Sequence, residues 1–183
     1  MVDISQVKYS VSVIGDDGTQ YNIKNYIQAV GWEESSKEIS MRLTFKARND
    51  DTSKGQLSSL VKVGSLIVVT ASDGGSFNGE VARGYVEKWN PQDRSSASDL
   101  SCICYDEMYK LQRSQDNLYL PSGTGTKSAI QNLLNEWEVP IGEYKGPDAT
   151  HGKMTFKNKY ISDIILELLD DAVKKGGEKC IIR

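Results

Sequence analysis

Alternation of apolar and polar residues dominates the first part of the chain and predicts β-strands with one buried face. The clearest alternation covers residues 39–48, in which every second residue, starting at Ile39 and ending at Ala47, is apolar. Residues 9–13 and 21–23 follow the same pattern on either side of a Gly-Asp-Asp-Gly turn. These patterns predict an opening hairpin, followed by a long ribbon of residues 26–34 and 39–48 with its tip at residues 33–38.

Residues 64–114 contain three further strand patterns in a row. Residues 66–69 form a short β-branched run typical of a buried strand, and an Asp-Gly-Gly-Ser turn follows. A second strand is predicted over residues 77–89, and a third begins after a loop at residues 90–98. About six or seven antiparallel strands are predicted before residue 115, and strands of this number usually close into a barrel or a sandwich, which removes the exposed edges.

Two pairs of residues in this region carry specific expectations. Gly79 and Gly84 are expected to mark bends or bulges of the second strand. Cys102 and Cys104 lie two residues apart on the third strand and therefore point to the same side. Because further metal ligands are distant in the sequence, both cysteines are predicted to be buried small hydrophobic residues.

After Ser114 the apolar period changes from two to about three and a half, which predicts a domain boundary. The expected domains are an antiparallel β-barrel at residues 1–115 and a small α/β domain of strand–helix repeats at residues 116–183. The fold class is therefore mainly β with α+β character. In the second domain, Thr126 is predicted to cap the first helix, and a second amphipathic helix is predicted around residues 161–172.

Composition restricts the function classes. The chain has 183 residues, of which 38% are hydrophobic and 26% are charged, as expected for one or two globular domains. Its net charge of −3 argues against a surface that neutralises many phosphates. No apolar run reaches the length of a transmembrane helix, and the first residues lack the pattern of a signal peptide. Three cysteines in total favour a reducing compartment over a disulfide framework.

No catalytic, cofactor-binding or metal-binding site is predicted. Residues 123–128 lie where a phosphate-binding loop would lie, but Thr126 stands where the Walker pattern requires glycine before Lys127. His151 has no nucleophile motif near it in the sequence, which makes triad chemistry an unfavourable interpretation. Residues 59–62 match the Ser-x-x-Lys pattern of some acyl enzymes, but the companion motifs are absent.

Three segments of the chain resemble a known family. They are VKVGSLIVV, FNGEVARGYVEKW and SCICYDEMYKLQRS, and a helical region follows them. Together they resemble the first barrel domain of contractile-tail baseplate hub proteins, the late-control gene D family, and most closely its XkdQ-like branch from PBSX-type prophages.

The resemblance implies a structural, non-enzymatic protein. In this family the hub is a ring-shaped homotrimer that joins the tail tube to the central spike, in the baseplate of a virion or phage-like particle made in the bacterial host cytoplasm. Other copies of the chain, the tube, the spike and further baseplate proteins are thus the expected partners, without membrane or specific nucleic acid. Hub proteins continue with another barrel, so the chain is expected to be a fragment whose second domain is truncated at its C-terminal end.

Surface contacts are predicted on the barrel domain. The polar face of residues 39–48 is expected to meet other subunits by strand addition or side-by-side packing, and exposed aromatic residues are expected to anchor the interface. The candidate interface residues are Trp32, Arg42, Thr44, Lys46, Tyr85 and Trp89. The alternative interpretation is that the aromatic residues fill the barrel core.

Three other functions stay open at this point. Small strand–helix repeats also resemble the LysM units that bind peptidoglycan, so a carbohydrate-binding or peptidoglycan-binding module is the main alternative. An OB-type barrel that binds nucleic acid is a second alternative, although the acidic charge disfavours it. An enzyme with an unrecognised site is the third.

Overall fold

The computed structural model describes residues 6–15, 17–35, 37–94, 97–180 and 182, without the side chains of residues 91–94, 97 and 98. The chain forms two compact units. Unit 1 consists of the described residues up to Glu33 together with Arg42–Asp106, and unit 2 consists of the described residues of Glu34–Met41 and from Glu107 onward. Residues 34, 35, 37–41 and 107–115 therefore pack with unit 2, although the sequence placed them in the first domain.

Unit 1 is a β-structure with little helix. Its strands are β1 (Lys8–Ile14), β2 (Gln20–Asn22), β3 (Ile27–Glu33), β4 (Arg42–Arg48), β5 (Asp51–Thr52), β6 (Gly55–Gln56), β7 (Leu66–Ser72), β8 (Asn78–Arg94) and β9 (Ala97–Tyr105), with a 3₁₀ turn at Lys24–Tyr26 and a helix α1 (Leu57–Leu60). Seven of these strands form one antiparallel sheet in the order β2-β1-β7-β8-β9-β4-β3. The strands β5 and β6 pair separately.

The mainly β fold with α+β character that the sequence predicted is confirmed, and the sheet curls without closing. In the described residues no ladder joins β2 to β3, the two edges of the sheet. Tyr9 on β1 nevertheless contacts Trp32 on β3, with ring centroids 5.9 Å apart at an interplanar angle of 65°. Strands so far apart in the sheet order can meet only if the sheet bends back on itself. The barrel is therefore open in its hydrogen bonding, and an aromatic pair spans the gap.

The core of unit 1 follows the predicted alternation. On β4, Leu43, Phe45 and Ala47 are buried, whereas the residues between them are more exposed. Cys102 and Cys104 on β9 pair with Phe45 and Leu43 and are buried as well. Their side chains belong to the same apolar face, as the sequence indicated.

Two expectations for the strands β8 and β9 were wrong in detail. β8 runs to Arg94 and β9 starts at Ala97, so most of the predicted loop at residues 90–98 is strand, and residues 95–96 lie outside the described part. The bulges of β8 fall at Val81 and Glu87, where the register shifts, rather than at the predicted glycines. Gly84 instead allows a close approach, because an added Cβ would lie 3.1 Å from the Cβ of Cys104.

The strand that the alternation predicted over residues 39–48 is shorter than expected. It begins at Arg42, and Ile39 lies in the segment that packs with unit 2. Ile39 is 1% exposed and belongs to the hydrophobic core that also contains Leu133 and Ile164. The continuous apolar pattern thus serves two different cores.

Unit 2 contains the predicted strand–helix repeats. Its elements are α2 (Tyr109–Arg113), β10 (Gln115–Leu120), α3 (Thr126–Glu136), β11 (Met154–Tyr160) and α4 (Ile161–Lys174). β10 and β11 pair antiparallel, and the helices bury their apolar faces in a common core. Among the described residues, no helix combines the length and apolar character needed to cross a bilayer.

Candidate interaction surface

Four of the six candidate interface residues lie on the outer face of the unit 1 sheet. Arg42, Thr44 and Lys46 alternate with the buried residues of β4 and therefore face away from the core. Tyr85 joins them, because Arg42 and Tyr85 both pair with Tyr105 and so stand in one row across three strands.

This row combines a charge pair with an apolar band. Arg42 Nη1 lies 3.0 Å from Glu33 Oε1, and the two side chains are 40% and 67% exposed, so the pair contributes at most about 1 kcal/mol to stability. Next along the row, Tyr105 is half-buried and Tyr85 is 40% exposed, followed by the half-buried Leu66 of β7. An exposed aromatic band bordered by charges is the type of surface that protein interfaces use.

The two candidate tryptophans lie on the opposite, core-facing side. Trp32 pairs with Leu43 and is 36% exposed where it contacts Tyr9. Trp89 pairs with Cys102 and is half-buried, and its Nε1 has no hydrogen-bond partner among the described residues. The six candidates are thus divided between two faces, and the contact of either tryptophan with another subunit stays a prediction.

Unit 2 contains a buried polar cluster that sequence reasoning missed. His151 is 1% exposed, its Nε2 lies 2.9 Å from Thr126 Oγ1, and its Nδ1 lies 2.6 Å from Asp171 Oδ2. Lys175 Nζ also contacts the Asp171 carboxylate and donates to the carbonyl of Thr150 at 2.9 Å. Hydrogen bonds from Lys175 and from His151 lower the pKa of Asp171 below its ordinary value of 3.8.

Thr126, His151 and Asp171 are hydrogen-bonded in the same order as the nucleophile, base and acid of a catalytic triad. Their further hydrogen bonds, however, connect parts of the backbone and indicate a structural role. Thr126 is fully buried, and its hydroxyl lies 3.0 Å from the carbonyl of Ala149 and accepts the amide of Ala149 at 3.1 Å. A substrate would have to displace these bonds to reach the oxygen. The arrangement instead holds residues 149–151 against the start of α3.

Backbone N–H groups in the glycine-containing loop of residues 123–128 donate hydrogen bonds to residues 148 and 149. Thr126 N–H donates to Ala149 O at 3.0 Å, and Lys127 N–H donates to Asp148 Oδ1 at 3.1 Å. The Asp148 carboxylate therefore sits where an anion would bind at the helix N-terminus, which disfavours a phosphate there. Gly125 rather than Thr126 is the N-cap, so the predicted role of Thr126 was wrong: its hydroxyl is used by the buried cluster.

No local sequence pattern predicts the buried cluster. Its members are separated by 25 and 20 residues, and each sits in an unremarkable context: a helix start, a glycine-rich loop and a charged helix end. The only indication was a single histidine among residues that form loops.

The cysteines, by contrast, behave as predicted: burial raises the pKa of Cys102 to about 12 and raises the pKa of Cys104 further.

The family of the chain is decided by a match over most of its length. The sequence model of the YQBQ-like family matches residues 30–183. The chain belongs to the YQBQ-like family. No curated protein matches this YQBQ-like chain significantly in sequence.

Solved structures show which proteins have a similar fold. A tail protein from Neisseria meningitidis is 14% identical with a TM-score of 0.64, over 88% of this chain and 45% of that protein. The 43 kDa tail protein of prophage MuSo2 from Shewanella oneidensis is 13% identical with a TM-score of 0.63, over 91% of this chain and 48% of that protein.

A third structure extends the similarity to secretion systems. It is an E. coli component of the type VI secretion system, described as structurally similar to the T4 bacteriophage tail proteins gp27 and gp5. It is 14% identical with a TM-score of 0.53, over 89% of this chain and 42% of that protein. The YQBQ-like chain therefore has the fold of these tail proteins and spans less than half the length of each.

Proposed function

We propose that this YQBQ-like chain is a structural, non-enzymatic component of a phage or phage-like contractile tail. The single observation that carries the proposal is a fold match to two tail proteins, one of them from a prophage, that extends over 88% and 91% of the chain. More specifically, we propose the baseplate hub that links the tail tube to the central spike, in the XkdQ-like branch of the late-control gene D family. The protein would be made in the host cytoplasm and would be found in the tail of the particle.

The outer face of the unit 1 sheet is the proposed contact between subunits of a homotrimer. Its exposed aromatic residue, Tyr85, lies in an apolar band that a neighbouring subunit would cover, and the polar residues Arg42, Thr44 and Lys46 of β4 flank that band on one side. Tail tube, central spike and other baseplate proteins are the proposed further partners. Because the chain covers less than half of the tail proteins that it resembles, the trimer is proposed for the whole natural protein.

Deletion of the gene tests the tail function directly. We expect particles from a strain that lacks the protein to have no assembled baseplates when they are examined by negative-stain electron microscopy. Expression of the wild-type protein from a plasmid should restore the baseplates. Normal, contractile tails in the deletion strain would overturn the proposal.

Light scattering coupled to size exclusion tests the homotrimer. We expect the natural full-length protein to be a trimer, and Tyr85→Glu to weaken the trimer by about tenfold or more, because a charge would enter the covered band. Val63→Glu is the matched control: Val63 is 64% exposed in unit 1 and outside the row, and its change should alter the affinity by less than about twofold. A monomer at high concentration, or equal effects of both variants, would contradict the proposed interface.

A further inference from the structure

The small sheet of unit 2 has an exposed face with an unusual composition. Tyr119 pairs with Thr155 and Gln115 pairs with Tyr160, so these four side chains share one face, opposite the buried Phe156. The face is completed by Asn117 and Lys157. We call it the basic tyrosine face, and its exposed residues are Gln115, Asn117, Tyr119, Thr155, Lys157 and Tyr160.

A bulge in β11 directs side chains from both ends of the strand to this face. The register shifts between Asp116 and Leu118, and the extra residue lies on β11, where Asn158 has a left-handed backbone with φ of 47°. Lys157 and Tyr160 are three positions apart, so they would lie on opposite sides of the sheet if residues 157–160 alternated strictly, without the bulge. Asn117 Oδ1 accepts the amide of Asn158 at 2.8 Å, which stabilises the bulge and leaves the NH₂ group of Asn117 as a donor.

The tyrosines are too exposed for a core role. Tyr119 is 57% exposed and Tyr160 is 43% exposed, and they stand near opposite ends of the face. A tyrosine presents an apolar ring and a polar hydroxyl and loses little conformational freedom on binding, which is why tyrosines are enriched at protein interfaces.

The face carries the positive charge of Lys157, with Lys153 beside it, and no acidic side chain among the described residues pairs with either lysine. Lys153 Nζ lies 5.6 Å from the centroid of the Tyr119 ring, a cation–π contact that holds the ammonium beside the face. Within the described part of the chain neither Lys153 nor Lys157 has an acidic partner, whereas Lys159, which alternates to the other side, pairs with Glu167. None of the six side chains is acidic, although the chain as a whole has a net charge of −3.

We propose that the basic tyrosine face binds an acidic polypeptide segment of a partner protein. Ammonium groups, an amide donor and two phenol hydroxyls complement carboxylates. Lys153 covers one side of the Tyr119 ring, the surface on which a sugar or a base would stack, which favours a polypeptide. In addition, β10 and β11 each pair on one side only within the described residues, so an extended segment can add to an edge of this sheet.

The inference rests on the proposed function only in that a tail component requires protein partners. The probe is a fluorescein-labelled peptide of ten glutamates, and binding is measured by fluorescence anisotropy at low salt. We expect Lys153→Gln/Lys157→Gln to weaken binding by about tenfold, and Tyr119→Ser alone to weaken it by about threefold or more. The matched control, Lys62→Gln/Lys174→Gln, removes the same charge from exposed positions elsewhere and should change the affinity by less than about twofold.

Each other result would overturn the proposal. Equal weakening by both double variants would show non-specific attraction, and lack of binding by the wild-type protein would show that the face does not bind acidic peptides. Tighter binding of dextran sulfate with the same dependence on Lys153, Lys157 and Tyr119 would assign the face to an anionic carbohydrate. None of these results bears on whether baseplates assemble in the deletion strain, so the two proposals fail independently.

Discussion

The two units place their polar groups differently. Unit 1 has an apolar core, and its ion pairs Arg42–Glu33 and Arg83–Glu80 lie at the surface. Unit 2 buries His151 and uses it to connect a helix start, a loop and a helix end. Surface pairs contribute little, whereas a buried polar group becomes costly as soon as its partner is lost. The stability of unit 1 should therefore depend mainly on apolar packing, and that of unit 2 also on the hydrogen-bonded cluster around His151.

The largest effect is expected from the apolar cores. Ile39→Ala should destabilise unit 2 by about 2–5 kcal/mol, because it leaves a cavity in the core of unit 2, although Ile39 lies in the sequence of the first domain. Ile67→Ala, at a fully buried position of β7, is the matched change in unit 1. Native-state hydrogen exchange should show faster exchange in α4 for the first variant and in β7 and β8 for the second. The same pattern for both variants would mean that the two cores are not separate.

Loss of the buried histidine is expected to have the next largest effect. His151→Leu removes one hydrogen bond each from the Thr126 hydroxyl, which keeps Ala149 as its partner, and from the Asp171 carboxylate, which keeps Lys175, and it should cost about 1–3 kcal/mol in urea unfolding. Thr126→Val removes the hydroxyl with little change in volume and should cost about 1 kcal/mol. If both variants were as stable as the wild-type protein, the cluster would not contribute to unit 2.

A smaller effect is expected on the pH dependence of the stability of unit 2. The pKa of Asp171 is lowered in the folded state, so its contribution to stability is present above its ordinary value of 3.8 and is lost as the pH falls through the folded value. Asp171→Asn should therefore be destabilising at pH 7 and progressively less so below pH 3.8. Urea unfolding at several pH values measures this difference, and a penalty that stays constant down to the lowest pH would be inconsistent with the charge of Asp171.

The smallest effect is expected from the surface pair of unit 1. A double-mutant cycle on Arg42→Gln and Glu33→Gln should give a coupling energy of about 0–1 kcal/mol that decreases at high salt. A larger, salt-independent coupling would remove the contrast between the two units, since unit 1 would then also depend on a strong polar interaction.

The features that could be predicted from the sequence are those that depend on the local period of apolar residues. The alternation from Leu43 to Ala47 reports one buried face directly, and the strand–helix repeats of unit 2 appear where the apolar period indicated. Periodicity does not report which core a residue enters, however, and Ile39 continues the alternation of β4 while packing in unit 2.

Other errors have similarly physical causes. The segment after Asn90 reads as a loop because it is polar, yet its backbone groups are satisfied by pairing with β9, which needs no apolar alternation. The cluster of Thr126, His151 and Asp171 joins residues far apart in the chain, so no window of sequence could reveal it. The basic tyrosine face depends on a single bulge residue, Asn158, whose effect on the direction of later side chains is visible only in the register.

The position of Ile39 also bears on how such chains can evolve. Unit 2 is assembled from two separate stretches of the gene, with most of unit 1 encoded between them. A single recombination event near residue 106 would join the helical part of one lineage to the residue 34–41 segment of another. Because that segment supplies a buried side chain to the helical core, the hybrid would inherit mismatched packing partners. Lineages should therefore exchange the two units together, or change Ile39 in step with the rest of the helical core.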